Sequence, residues 1–374
     1  MSRLARAYRG DNDFNFPTWS RRLLIVSALI IVASIVSLFT RGLSLSLEFE
    51  GGSSWAVESQ DFTQEQATDV LGDFDAAGGA KFQEATGTDG TRVLRITSQV
   101  DDVNTGSEVA NALAEAAGLE AGEVTVSTVG PSWGDDITRQ AVQSLIWFSV
   151  LVAAYLAWRL EPTMALAGML GVVHDVIITV GIYSLLGWEV TPATVIAFLT
   201  ILGFSLYDTV VVFDRMQDGV GRYSRSGQYT YTMIARRTLN QSLMRCVNTS
   251  ITTLLPIFSM LFIGGYLLDQ PLLIDFSRAL IIGLVLGAWS SLFVASPIEI
   301  ALKERSVRFA DIRKRLVNKG VDVTDTRWHD HGTPVVTAAA SPAAPAAGAR
   351  SGEAPPLSVN VGGHPPRPRK SRKR

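Results

Sequence analysis

The chain has one cysteine in 374 residues, Cys246, so no internal disulfide can hold any part of it. Histidine is almost as scarce. Three of the four lie in the C-terminal tail, leaving His174 alone, and a lone imidazole does not make a metal centre. No GxxxxGK[ST] pattern is present, which removes the usual phosphate loop of an ATP-driven machine. Charge is sparse too: 18% of residues are charged against 47% hydrophobic, and the charges lie outside long apolar runs. A soluble enzyme of this length would interleave them.

Six apolar runs are long enough to span a bilayer: 23–39, 141–158, 164–186, 193–213, 246–264 and 279–301. The first, preceded by Arg21 and Arg22, resembles a signal peptide, but 40–46 offers only a weak cleavage pattern and reads as an uncleaved anchor. Basic residues crowd the N-terminus (1–22), the 214–245 loop and a 303–319 juxtamembrane helix, which predicts both termini and that loop in the cytoplasm. The 303–319 segment reads as a basic amphipathic helix near anionic membrane lipids. The Ala/Pro/Gly-rich and then basic tail, 320–374, is expected to be disordered, without specific affinity for nucleic acid.

Between the first two runs, 40–139 forms an acidic, extracytoplasmic segment. Strands are predicted at 54–58, 81–85, 92–96 and 123–128, and helices at 63–77, opened by a Thr63/Gln66 cap, and 103–117. The order βαββαβ predicts an α+β ferredoxin-like domain, and the fold class is an α-helical polytopic membrane protein of six transmembrane helices, with helices two to six in 140–302. The domain has no histidine and no nucleophile motif. Its acids read as a solvated surface; the other reading is a groove or sheet edge that holds extended polypeptide.

The candidate chemistry is inside the membrane. Asp208, in GFSLYDTVVVFDR, lies in a spanning run, where an ionised carboxylate costs about 2.5–3.5 kcal/mol even on lenient scales and marks an ion path or a required partner. Gln241, Arg245, Asn248, Thr249 and Thr252 recur at helical spacing and form a polar stripe that must face other helices or water; Thr209 lies beside Asp208. Asp208 and Arg245 are a proton-coupling pair or a static salt bridge that fixes register. His174 and Asp175 come next. Adjacent residues point about 100° apart on a helix, so Asp175 is expected to face the bundle and His174 to be packing or relay. Gly51 and Gly52 mark a turn, or a hinge, between membrane and domain.

The runs LEFEGGSSW, AGMLGVVHDV, GFSLYDTVVVFDR and LNQSLMRCVNTSITTLLP, in this order within 23–302, together resemble the SecF branch of the SecD/SecF family, Sec export subunits of the resistance-nodulation-division superfamily. The chain departs from that family in having Tyr207 where Asn is usual and Glu48 where Asp is usual. The resemblance implies a bacterial cytoplasmic-membrane subunit that works with SecD beside the SecYEG channel on unfolded preproteins. It implies no cofactor, the proton gradient being the energy source, with proton passage at Asp208 and Arg245 and a mobile outer domain. Half of a proton-driven small-molecule exporter and a non-conducting scaffold of the translocase remain alternatives.

Overall fold

The computed structural model describes residues 14–86, 92–268, 270–321 and 323; the expectations for the tail beyond 323 and for the first residues lie outside these. Six helices among the described residues are long and apolar enough to cross a membrane. The first is α1 (Phe16–Arg41). A short helix, α2 (Leu47–Glu50), leads into β1 (Gly52–Glu58), α3 (Gln64–Gly72), β2 (Lys81–Thr86), β3 (Arg92–Ser98), α4 (Val103–Ala117) and β4 (Thr125–Val129). The remaining spans are α5 (Pro131–Arg159), α6 (Pro162–Leu186), α7 (Pro192–Tyr223), α8 (Tyr231–Ser259, continued by π-helical turns through Met260–Leu267) and α9 (Pro271–Ser290). A π-helical turn, Ser291–Ala295, joins α9 to α10 (Ser296–Glu304), and α11 (Val307–Asn318) follows.

The four strands form one antiparallel sheet in the order β2-β3-β1-β4, with Trp55 opposite Ile96 and Val126. Period-two alternation sorts β1 into two faces. Trp55 and Val57 turn towards α3 and α4 and are buried with Phe62, Leu71, Leu94, Ile96, Val109 and Leu113; the Trp55 indole donates to the Gly106 carbonyl at 2.8 Å. Ser54 and Ala56 face the other way, with Thr97, Thr125 and Ser127, into a groove of about 610 Å³ above the helix ends. The Thr63 hydroxyl and the Gln66 side chain cap α3 reciprocally, satisfying donors that its first turn leaves open. That helix stops at Gly72, earlier than the predicted 77, because the chain turns there and Asp75 takes a positive φ of 53°.

Two predicted features take fuller form in the structure. Most of the 214–245 loop is helical: α7 runs on to Tyr223 and α8 starts at Tyr231. Hydropathy ends before the helix does, because past the apolar run one face keeps packing, with Met216 and Gly219 set against Ile234 and Thr238. The second is 303–319, in which 307–318 is the helix α11. On its apolar face Phe309, Ile312 and Leu316 are buried in the bundle core, and the Phe309 ring meets Tyr231 edge-on at 5.1 Å.

Candidate functional site

The close approach of α7 and α9 builds the centre of the bundle, and glycine permits it. A Cβ at Gly283 would lie 2.3 Å from Ile201, and one at Gly287 would lie 3.0 Å from Ser205. Ser205 and Ser290 thereby reach Asp175 of α6, which is 1% exposed. Their hydroxyls donate to Asp175 Oδ2 at 2.6 and 2.7 Å, and His174 Nδ1 lies 2.9 Å from Oδ1. Contrary to the divergence expected of adjacent residues, His174 and Asp175 are both buried and bonded to each other, since side-chain torsions swing the two groups together. His174 Nε2 is buried with no partner among the described residues.

The π turn after Ser290 adds a second layer. Its extra residue lets two consecutive serines face inward, a geometry common at functional positions. Ser290 reaches Asp175, and the Ser291 hydroxyl lies 2.8 Å from that of Thr209, which also donates to the Ser205 carbonyl at 3.0 Å. Thr209 thus belongs to this buried cluster.

Asp208 lies outside this cluster. It is half-buried on the wall of a cavity of about 420 Å³ lined also by Gly203, Phe204, Tyr207, Thr249, Ser250 and Thr253. Arg245 and Gln241 line an adjoining cavity of about 700 Å³ with Arg159, Asp214 and Asp218; Arg159 is paired with Asp214 at 2.6 Å. Gly203 and Tyr207 line both cavities, so the compartments of Asp208 and Arg245 adjoin along this stretch of α7. Arg245 acts on Asp208 through space, and no ion pair within 4 Å joins them. Of the stripe, Gln241, Arg245 and Thr252 are exposed on the α8 surface and Asn248 and Thr249 are half-buried; the threonine hydroxyls donate to carbonyls one turn back. Two groups therefore emerge: a closed cluster around Asp175, Ser205, Thr209, Ser290 and Ser291, and an open one around Asp208, Arg245 and Thr249.

Gly51 and Gly52 both have positive φ, 75° and 114°. Gly52 pairs with Val129 inside the sheet, and a Cβ there would sit 2.4 Å from the Ser98 carbonyl. Gly51 is gripped by α5, where Gly134 packs on Phe49 and Gly51. Beside this joint, Val190 exchanges backbone hydrogen bonds with Ser44 and Ser46, and Gln83 of β2 donates to Glu189 at 2.7 Å. Burial pushes the Glu189 carboxyl above its ordinary value, against the opposing pull of Lys81 and Arg95.

Sequence reasoning missed Ser205, Ser290, Ser291 and the fully buried Glu299 of α10. Serine is common in membrane helices and carries no signal by itself; Ser205 and Thr209, four apart beside Asp208, were the one available hint.

Comparison with known proteins gives consistent results. The family profile "Protein export membrane protein SecD/SecF, C-terminal" matches residues 108–305. The chain is 39% identical over 315 residues to protein translocase subunit SecF of Streptomyces coelicolor, covering 84% of this chain and 83% of that one. It is 31% identical over 299 residues to protein translocase subunit SecDF of Thermus thermophilus. The crystal structure of SecDF from that organism, described as a translocon-associated membrane protein, superposes with a TM-score of 0.68 at 30% identity, over 79% of this chain and 39% of that one. The chain thus spans about two fifths of the solved SecDF chain.

Proposed function

The chain belongs to the SecD/SecF family of protein-export membrane proteins, and from that premise we propose that it is a multi-pass subunit of the bacterial Sec export machinery that uses the proton gradient to promote preprotein translocation. The observation that carries this reading is Asp208, a membrane carboxylate without a paired cation, open to a cavity that shares Tyr207 with the compartment of Arg245. A carboxylate so placed can take a proton from one side and lose it to the other. The positive charge of Arg245 attracts Asp208 only while Asp208 is ionised, so that attraction switches off when Asp208 binds a proton. Each proton crossing 100 mV releases about 2.3 kcal/mol, enough to bias a two-state packing of α7 against α8. Asp175 and the Thr209 cluster would brace α7 or extend the relay; the chemistry asks for no cofactor.

The partner follows from the uncovered face. Phe204 and Tyr207 of α7 and Ile251, Leu255 and Phe258 of α8 are exposed around Asp208 and the polar Thr252, and polar groups at that depth call for a protein neighbour. In the Thermus relative this region is part of a longer SecDF chain, and we assign the missing half to SecD, with SecYEG and the unfolded preprotein beyond it. The basic segments favour a cytoplasmic-membrane location with both termini inside and the domain outside. The antiparallel order β2-β3-β1-β4 within βαββαβ supports a ferredoxin-like reading of that domain, with Gly51 and Gly52 as its joint.

The test is gradient-driven export of a reporter preprotein into vesicles, comparing the native chain with Asp208→Asn and Arg245→Met at matched expression and assembly. Loss of the gradient-dependent part in both variants supports the reading. Unchanged export makes the pair a packing feature and the chain a scaffold.

A further inference from the structure

Glu299, a carboxylate of the last span, is fully buried at 0% exposure. Three elements converge on it. Thr163, at the start of α6, and Tyr231, at the start of α8, both donate to its Oε1 at 3.2 Å. Its Oε2 is buried with no hydrogen-bond partner among the described residues. Two charged groups act on it, Lys303 on the same helix and Glu161 at the α5–α6 turn, while Glu304 acts on its partner Tyr231. Lys303 is already committed to an ion pair with Glu161. Glu304 is held by the backbone and hydroxyl of Thr232 at 2.8 and 2.7 Å. Among the described residues, the cation that acts on Glu299 is thus already paired, and its other charged companion, Glu161, is acidic.

An ionised carboxylate in that position would be desolvated, unpaired and repelled, with one oxygen bare. Such a group neutralises itself instead. We propose that Glu299 is a second proton-binding site of this chain, occupied while the starts of α6 and α8 are closed on α10 and emptied when they part. Counting about 1.5 Å per helical residue from Pro192 and from Pro271, Glu299 lies roughly 18 Å further from the domain than Asp208, so the two sites are separate along the membrane normal. Protonated, Glu299 accepts from Thr163 and Tyr231 and ties three helix ends together. Deprotonated, it is repelled by Glu161 and drives those ends apart. The assignment stands whether or not Asp208 conducts protons.

The experiment is an infrared pH titration of the full-length chain in lipid nanodiscs, reading the carbonyl band of a protonated buried carboxyl. The native chain and Asp208→Asn should both show a band at neutral pH that Glu299→Gln lacks. Thr163→Val, which removes one donor from Oε1, should shift that band in frequency. Gln is isosteric with the protonated acid, so Glu299→Gln should fold and hold α6, α8 and α10 closed at every pH, whereas in the native chain alkali should speed hydrogen exchange at the start of α8. A neutral-pH band undiminished in Glu299→Gln would overturn the assignment. Should that variant fail to fold, a band unmoved by Thr163→Val and by Tyr231→Phe would do the same. Loss of export in Asp208→Asn with the band intact would bear on Asp208 alone.

Discussion

Ser205 donates to the buried carboxylate of Asp175 at 2.6 Å, and Asp208, less than one turn further along the same helix, lines a cavity of about 420 Å³. One helix, α7, thus carries residues of both a closed polar cluster and an open one. The closed side fixes where the open side stands.

Ser205→Ala and Ser290→Ala each leave Asp175 Oδ2 with a single donor. Each should destabilise the bundle by about 1–3 kcal/mol, the cost of stripping a donor from a buried polar acceptor. Because they share one acceptor, the double variant should depart from additivity, measurable by a thermal-unfolding cycle in lipid.

Gly283→Ala pushes a methyl into Ile201, where no space exists, and should cost about 1–3 kcal/mol of overpacking. Ile201→Ala in the same chain should recover most of it. Gly203→Ala, with nothing within 4 Å of the new Cβ, should leave the melting temperature unchanged.

Tyr207→Asn removes the ring of a residue that lines both cavities while leaving the core alone, since Tyr207 is 54% exposed. Stability should hold within about 0.5 kcal/mol, as for other surface changes. In a Cys246→Ala background, a cysteine placed by Thr249→Cys should react faster with a water-soluble thiol reagent when Tyr207 is Asn; equal rates would mean the ring is no barrier.

Much of this was readable from residue types. The Thr63/Gln66 cap and the 103–117 helix follow from local chemistry, and the structure has both at those positions. Six spans follow from apolar runs of sufficient length. What was not legible depends on distant partners. The helical 214–245 segment owes its order to α7 and α8 packing on each other, which hydropathy does not register. The inward aim of both Ser290 and Ser291 depends on a π turn, and the burial of Glu299 depends on Thr163 and Tyr231 arriving from elsewhere in the chain.

Glu189 lies outside the spans, and its burial raises its proton affinity above that of the unfolded chain, whose reference value is 4.5. The folded state therefore holds the extra proton. Its stability contribution is full below the ordinary glutamate range and is lost as pH rises through the raised value. Thermal unfolding should show this fall in the native chain and a flatter profile in Glu189→Gln; matching profiles would remove Glu189 from the account.

Phe309→Ala should release α11, because that ring is 1% exposed and packs on Tyr231. A loss of about 3–5 kcal/mol is the usual cost of emptying such a site, here seen as local protease sensitivity near 307–318 rather than global unfolding. Anionic lipid should not restore protection, since the helix is held by protein.

Val190, hydrogen-bonded to the backbone leading into the domain, sits just ahead of Pro192, where α7 begins. The domain consequently grips α7 by its end, as a hand grips a rod. A long hydrogen-bonded helix resists stretching, so a tug delivered at Val190 would travel as axial tension to Ser205 and Asp208 without needing any relay of side chains between them.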